Sequence, residues 1–122
     1  MTRPLCIVHL EDDANDALLI AMHLESQYPG CVIRHVKSAA EFDAVLDRQD
    51  IDLILADNSG PGFTGRTALT MAATKRPHVP LIVLSGSDAP KPPYPPGVSA
   101  YVSKNRLSDL TSCIARLLPH RR

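Results

Sequence analysis

The stretch Ile51-Asp52-Leu53-Ile54-Leu55-Ala56-Asp57, with Asn58-Ser59-Gly60-Pro61-Gly62 behind it, decides the fold. Its apolar residues run together without alternation, which marks a strand covered on both faces. An aspartate closes the strand, and turn chemistry follows at once. The same grammar repeats outward in both directions. Leu5 to Leu10 is another continuous apolar run, and Glu11-Asp12-Asp13 follows it. Pro80 to Ser85 is a third such run, and Ala100-Tyr101-Val102 a short one before Lys104. Cys31 to Val36 is β-branched and partly alternating, so it reads as a less covered strand.

Helical patterns fill the intervals. Ala14 to Tyr28 carries a stripe of Ala17, Leu18, Ala21, Met22 and Leu24, stopped by Pro29-Gly30. Ser38-Ala39-Ala40-Glu41 matches a capping box ahead of Phe42, Val45 and Leu46. Thr64 can cap a helix reaching about Lys75, and Leu107, Leu110, Ile114 and Leu117 recur at helical spacing. Strands alternating with helices imply an α/β fold: a doubly wound parallel sheet with right-handed crossovers. With 122 residues and no linker, the chain reads as one domain over 1–122.

Composition narrows the function. Lys plus Arg and Asp plus Glu are 13 each, so the formal net charge is zero, which argues against a nucleic-acid or membrane-surface binder. The zero is a sum of unlike halves. Residues 1–57 hold 11 acidic and 4 basic residues, and residues 58–122 hold 2 and 9. Aromatics are 4 %, too few for stacking on single strands. Cys6, Cys31 and Cys113 are odd in number and far apart, so reduced, buried thiols are expected. No apolar run is long enough for a membrane span, and no signal peptide is visible, so a cytoplasmic location is expected. His9 and His35 fall on neighbouring strands. No histidine pair has metal-ligand spacing on one element, so burial is the expectation for them.

Ligands of doubly wound sheets bind at the carboxyl ends of the strands. Glu11, Asp12 and Asp13, Asp57, Ser85 and Lys104 all fall on that edge. Singly, each has an ordinary reading as a helix cap, a turn residue or a solvated lysine. Together they make a charged constellation. Gathered carboxylates repel unless a cation neutralises them, and Mg²⁺ suits oxygen ligands beside a phosphate. Lys104 supplies a point charge for a phosphoryl oxygen, Ser85 a hydroxyl, and Asp57 a nucleophile.

These residues resemble the receiver domain of two-component response regulators over nearly the whole chain. The matching pieces are Val8 to Asp13, Asp52 to Asp57, Pro61, Gly65, Leu81 to Gly86 and Ala100 to Lys104. The resemblance implies a five-stranded parallel sheet of order 2-1-3-4-5, the flavodoxin-like arrangement. It implies that Asp57 accepts a phosphoryl group from a histidine kinase or phosphotransfer protein. It implies Mg²⁺ held by Asp12, Asp57 and the backbone carbonyl of Ser59, with Glu11 assisting. Lys104 would pair with the phosphoryl group, Ser85 would be the switching hydroxyl, and Tyr101 the aromatic that follows it.

Three features depart from the family. Asn105 follows Lys104 where the family usually has a proline with a cis bond. A cis bond before a non-proline costs about 2.5–4 kcal/mol, so a trans bond is expected, with Asn105 capping the last helix. Pro90, Pro92, Pro93, Pro95 and Pro96 occupy the place of the family's fourth helix, and a Pro-rich loop is expected there instead. That loop serves either as a rigid filler or as a docking surface. The turn after Asp57 is rich in glycine, which loosens it.

The reading is a stand-alone phospho-accepting receiver, a signalling domain and not an enzyme toward an outside substrate. Its output is expected through contact with a downstream protein, and the loss of a helix leans toward a monomer. The basic half suggests an acidic partner surface. The alternatives are a degenerate receiver acting as a phosphorylation-independent scaffold, and an Asp-nucleophile phosphatase. The latter would carry a second Asp where this chain has Ser59.

Overall fold

The computed structural model of the chain describes residues 3–48, 50–57, 65–86 and 91–119. Its elements run β1 (Cys6–Leu10), α1 (Ala14–Gln27), β2 (Val32–Val36), α2 (Ala39–Val45), β3 (Leu53–Asp57), α3 (Gly65–Lys75), β4 (Leu81–Ser85), β5 (Ala100–Ser103) and α4 (Leu107–Leu117). The strands form one sheet, ordered β2-β1-β3-β4-β5, and every neighbouring pair is parallel. This is the doubly wound order that the family resemblance implies. The chain leaves β1 toward β2, then returns to place β3 on β1's other side. That reversal opens a crevice at the carboxyl ends of β1 and β3.

Continuous apolar character becomes two-sided burial. Every residue of β1, β3 and β4 is buried. One face, with Ile7, Leu53, Leu55, Ile82, Leu84 and Val102, packs against Ile20 and Leu24 of α1 and Leu110 and Ile114 of α4. The other, with Val8, Leu10, Ile54, Ala56 and Leu81, packs against Phe42 and Leu46 on one side and Ala68 and Ala72 of α3 on the other. Edge strand β2 is the exception, with Val32 and His35 exposed, which accounts for its partial alternation.

The Ser38 box forms: Ser38 Oγ accepts from the Glu41 amide at 3.2 Å. Glu41 reaches back to accept from the Lys37 amide at 3.0 Å, one residue earlier than the simple box requires. Those bonds hold the Glu41 carboxyl below its ordinary value, the Lys37 amide contributing most. The turn after α1 passes through Gly30 at φ 84°, a conformation costly for any residue with a Cβ.

The helical stripe of α1 differs from the expectation. Ala17, Ile20 and Leu24 are the buried residues, whereas Leu18 and Met22 are about 60 % exposed. The helix carries two adjacent apolar stripes, and its pattern alone does not say which one meets the sheet. Packing against α4, where His23 Nε2 lies 2.7 Å from Thr111 Oγ, selects the rotation.

The Lys104–Asn105 bond is trans, as expected. Asn105 does not cap α4: the N-cap position is Arg106, without a side-chain cap bond. The Asn105 amide is turned instead toward the Gly86 carbonyl, at 3.5 Å, tying the end of β5 to the end of β4. Between β4 and β5, the described residues 91–99 hold no helix. They lie against β5 through Tyr94, whose ring sits 5.3 Å from that of Tyr101. They lie against α3 through Gly97, where a Cβ would come within 3.0 Å of Ala73 Cβ. Ser99 pairs with Leu81 through both backbone and hydroxyl. The expected cap by Thr64, Pro61 and the glycines of the loop after Asp57, and Pro90, lie outside the described residues. No described helix is long and apolar enough to cross a membrane.

Candidate functional site

Strand alternation aims the site. Leu53, Leu55 and Asp57 share a face of β3, Ile7, His9 and Glu11 share the same face at β1, and Ala100, Val102 and Lys104 share it at β5. Three side chains from three strands therefore meet above the crevice. Glu11 and Asp57 are buried, and Asp12 stands exposed at the rim. Carboxylate oxygens of Glu11, Asp12 and Asp57 lie within 4.8 Å of one another.

Lys104 closes the cluster. Its Nζ lies 2.7 Å from Glu11 Oε1, 2.8 Å from Asp16 Oδ2 and 2.9 Å from Asp57 Oδ1. Its own amide donates to the Ser85 carbonyl at 2.7 Å, so the backbone fixes where the ammonium can reach. Asp16 was not legible as a site residue. It lies in the first turn of α1, and only the docking of that helix brings it over the strand ends. Its distance from Asp13 along the helix was the one available signal, because the acids that follow β1 divide their work. Asp13 is the N-cap, accepting from the Asn15 and Asp16 amides at 2.8 and 3.0 Å. The cap reading thus holds for Asp13, while Glu11 and Asp12 face the site.

The electrostatics follow from burial. Burial pushes the Glu11 carboxyl above its ordinary value; the Lys104 hydrogen bond pulls it back, and the Asp57 charge pushes the same way as burial. For Lys104, burial alone would favour the neutral amine. The hydrogen bonds it donates to Asp16, Glu11 and Asp57 outweigh it and hold the ammonium above its ordinary value. Both partners rise because Glu11 is the more deeply buried and has a second carboxylate beside it. Among the described residues, three carboxylates share the Lys104 ammonium and a fourth, Asp12, stands beside them, so the cluster favours more positive charge. A set of three carboxylates with hard oxygen donors fits a small divalent cation such as Mg²⁺.

The remaining expected residues fall as follows. Ser85 ends β4 and is buried, on the sheet edge beside Asp57. Alternation places it on the face opposite Lys104. Tyr101 shares that opposite face, in register with Val83, and its ring is covered by Tyr94. Ser59, expected to offer a carbonyl to the metal, lies outside the described residues.

Solved structures of receiver domains share this fold. The chain matches one in the crystal structure of histidine kinase ThkA in complex with response regulator protein TrrA, at TM-score 0.80 and 21 % identity, over 93 % of this chain and 98 % of that one. It matches the signal receiver domain of an HD domain-containing protein from Pseudomonas fluorescens at TM-score 0.79 and 18 % identity, over 98 % of both chains. It matches the receiver domain of the hybrid histidine kinase CckA at TM-score 0.73 and 22 % identity, over 93 % and 98 %. No family model and no curated protein matches the sequence. The fold is therefore that of receiver domains.

Proposed function

We propose that this chain is a phospho-accepting receiver of a two-component system or phosphorelay, modified on Asp57. The observation that carries the reading is the meeting of Glu11, Asp12, Asp57 and Lys104 at one sheet edge, with Lys104 Nζ 2.9 Å from the Asp57 carboxylate. A histidine kinase or phosphotransfer protein is the natural donor, and a further protein the natural recipient of the signal.

In the reaction, an Asp57 oxygen attacks the donor's phosphorus. The bond from phosphorus to the donor's nitrogen or oxygen breaks, and the leaving group keeps its electron pair. Lys104, already paired with Asp57, needs little reorganisation to meet a phosphoryl oxygen, and such preorganised charge is what lowers the barrier. Glu11 and Asp12 would hold Mg²⁺ with Asp57. When bound, that ion would neutralise charge developing on the phosphoryl oxygens. The product carries more charge and more acceptor oxygens than a carboxylate, so Lys104 would shift toward it and away from Asp16. Ser85 supplies a hydroxyl on the neighbouring strand, and its displacement would pass to Tyr101 and the Tyr94 ring tilted against it.

The test is incubation with Mg²⁺ and a small acyl phosphate, read by intact mass. One phosphoryl adduct is expected on the wild type and none on Asp57→Asn. Absence of an adduct in both, or its persistence in the variant, removes the proposal and leaves the phosphorylation-independent scaffold. Asp16→Asn should speed adduct formation by roughly two- to fivefold. A half-exposed ion pair is worth about 0.2–1 kcal/mol, and its loss frees Lys104 for the phosphoryl group. A slower variant would show that Asp16 positions Lys104 instead of competing for it.

A further inference from the structure

His9 has no counterpart in this mechanism. It is fully buried within the sheet, and among the described residues neither ring nitrogen has a hydrogen-bond partner. A buried polar side chain with no protein partner costs stability unless water or an ion satisfies it. Burial in the sheet disfavours a charged ring here. A neutral imidazole always keeps one nitrogen lone pair.

Its neighbour completes the picture. His9 and His35 are paired in the β1–β2 register, and their ring centroids lie 5.9 Å apart. His35 Nε2 is 2.7 Å from the Glu11 carbonyl oxygen. A carbonyl can only accept, so Nε2 carries a proton, and in the neutral ring the lone pair lies on Nδ1. That arrangement, with one ring nitrogen donating to a backbone carbonyl, is the usual support of a metal-ligating histidine. Both rings line a groove of about 340 Å³ between α1 and β2, walled also by Ala14, Ala17, Leu18, Ala21 and Ile33, with Lys37 at its margin. The alanines of α1 leave room for water ligands, and the exposed His35 gives an ion a way in.

We propose that His9 and His35 form a second cation site, for a borderline-soft divalent transition metal such as Zn²⁺, with water completing the coordination shell. Two imidazoles bound through nitrogens about 2.0–2.1 Å from one ion have centroids roughly 5–6 Å apart, so the observed spacing needs little movement. The site differs in kind from the carboxylate cluster: nitrogen donors select Zn²⁺, whereas all-oxygen donors suit Mg²⁺. The two sites touch through the Glu11 backbone. The pairing spans two strands, which explains why spacing along one element gave no sign of it. This site does not depend on the phosphorylation reading.

The experiment is a Zn²⁺ titration by calorimetry in excess Mg²⁺, which fills the carboxylates, followed by NMR of the imidazole resonances. One Zn²⁺ per chain should bind and shift the His9 and His35 signals. His35→Gln, on the exposed strand, should fold normally and bind Zn²⁺ about tenfold more weakly or worse. His9→Leu should behave alike, and Mg²⁺ binding should persist in the His35 variant. Equal Zn²⁺ affinity in His35→Gln and wild type overturns the site. So do imidazole signals that ignore Zn²⁺, which would assign the groove to ordered water.

Discussion

Lys104→Met is expected to lower the free energy of unfolding by about 3–5 kcal/mol near neutral pH, the usual cost of removing one partner from a buried ionic cluster. Lys104 is the common partner of Glu11, Asp16 and Asp57. Without it, the buried Glu11 and Asp57 carboxylates lose the ammonium they share. Glu11 is already raised by burial and by Asp57, and loses the hydrogen bond that opposes them. A carboxyl raised in the folded state stabilises the fold fully below its unfolded value. That stabilisation is lost as pH rises through the folded value. The variant's deficit should therefore shrink as pH falls toward the ordinary glutamate value of 4.5. Urea unfolding of both proteins across this range measures it. A deficit under about 1 kcal/mol, or one that does not change with pH, would mean that the cluster is solvated enough to do without its lysine.

Acid should act on His9 in the opposite sense. Its folded value is about 3 against an ordinary 6.5, chiefly because burial disfavours the charged ring. A depressed value contributes stability present above 6.5 and lost as pH falls through the folded value. Each unit in that window removes about 1.4 kcal/mol, a total of up to about 5 kcal/mol, a large fraction of a small domain's stability. His9→Leu should lose much less over the same window. Chelator-treated wild type and variant, compared by urea unfolding from neutral pH down, test this directly. Parallel acid limbs in the two proteins would show that His9 is reached by water and protonates without cost.

The strand ends were readable because they obey local rules. Asp57 closes an unbroken apolar run and precedes turn residues, and Lys104 follows Val102 by two. In a parallel sheet such positions share one edge, whatever the details of packing. The two-sided burial of β1, β3 and β4 follows from the same runs. The Pro-rich segment could be read as non-helical from the chemistry of proline alone.

Other features were closed to that kind of reading. Asp16 reaches Lys104 only because α1 lies across the strand ends, and the rotation of α1 depends on α4, nearly a full chain away. The exposed Leu18 and Met22 show the same blindness, since periodicity finds an apolar stripe but not the surface it will meet. Asn105 looked like a cap by residue type, yet the turn after β5 points its amide at Gly86.

The sequence by itself determined the alternation of strands and helices, the edge on which the charged residues gather, and the absence of a helix over the described residues 91–99. Each depends on residues close together in the chain. Tertiary structure alone decided that Asp16 shares Lys104 with Glu11 and Asp57, that Tyr94 covers Tyr101, and that neither ring nitrogen of the buried His9 has a partner among the described residues. Each of these is a contact between elements, and its energy exists only once the helices have docked and water has been excluded.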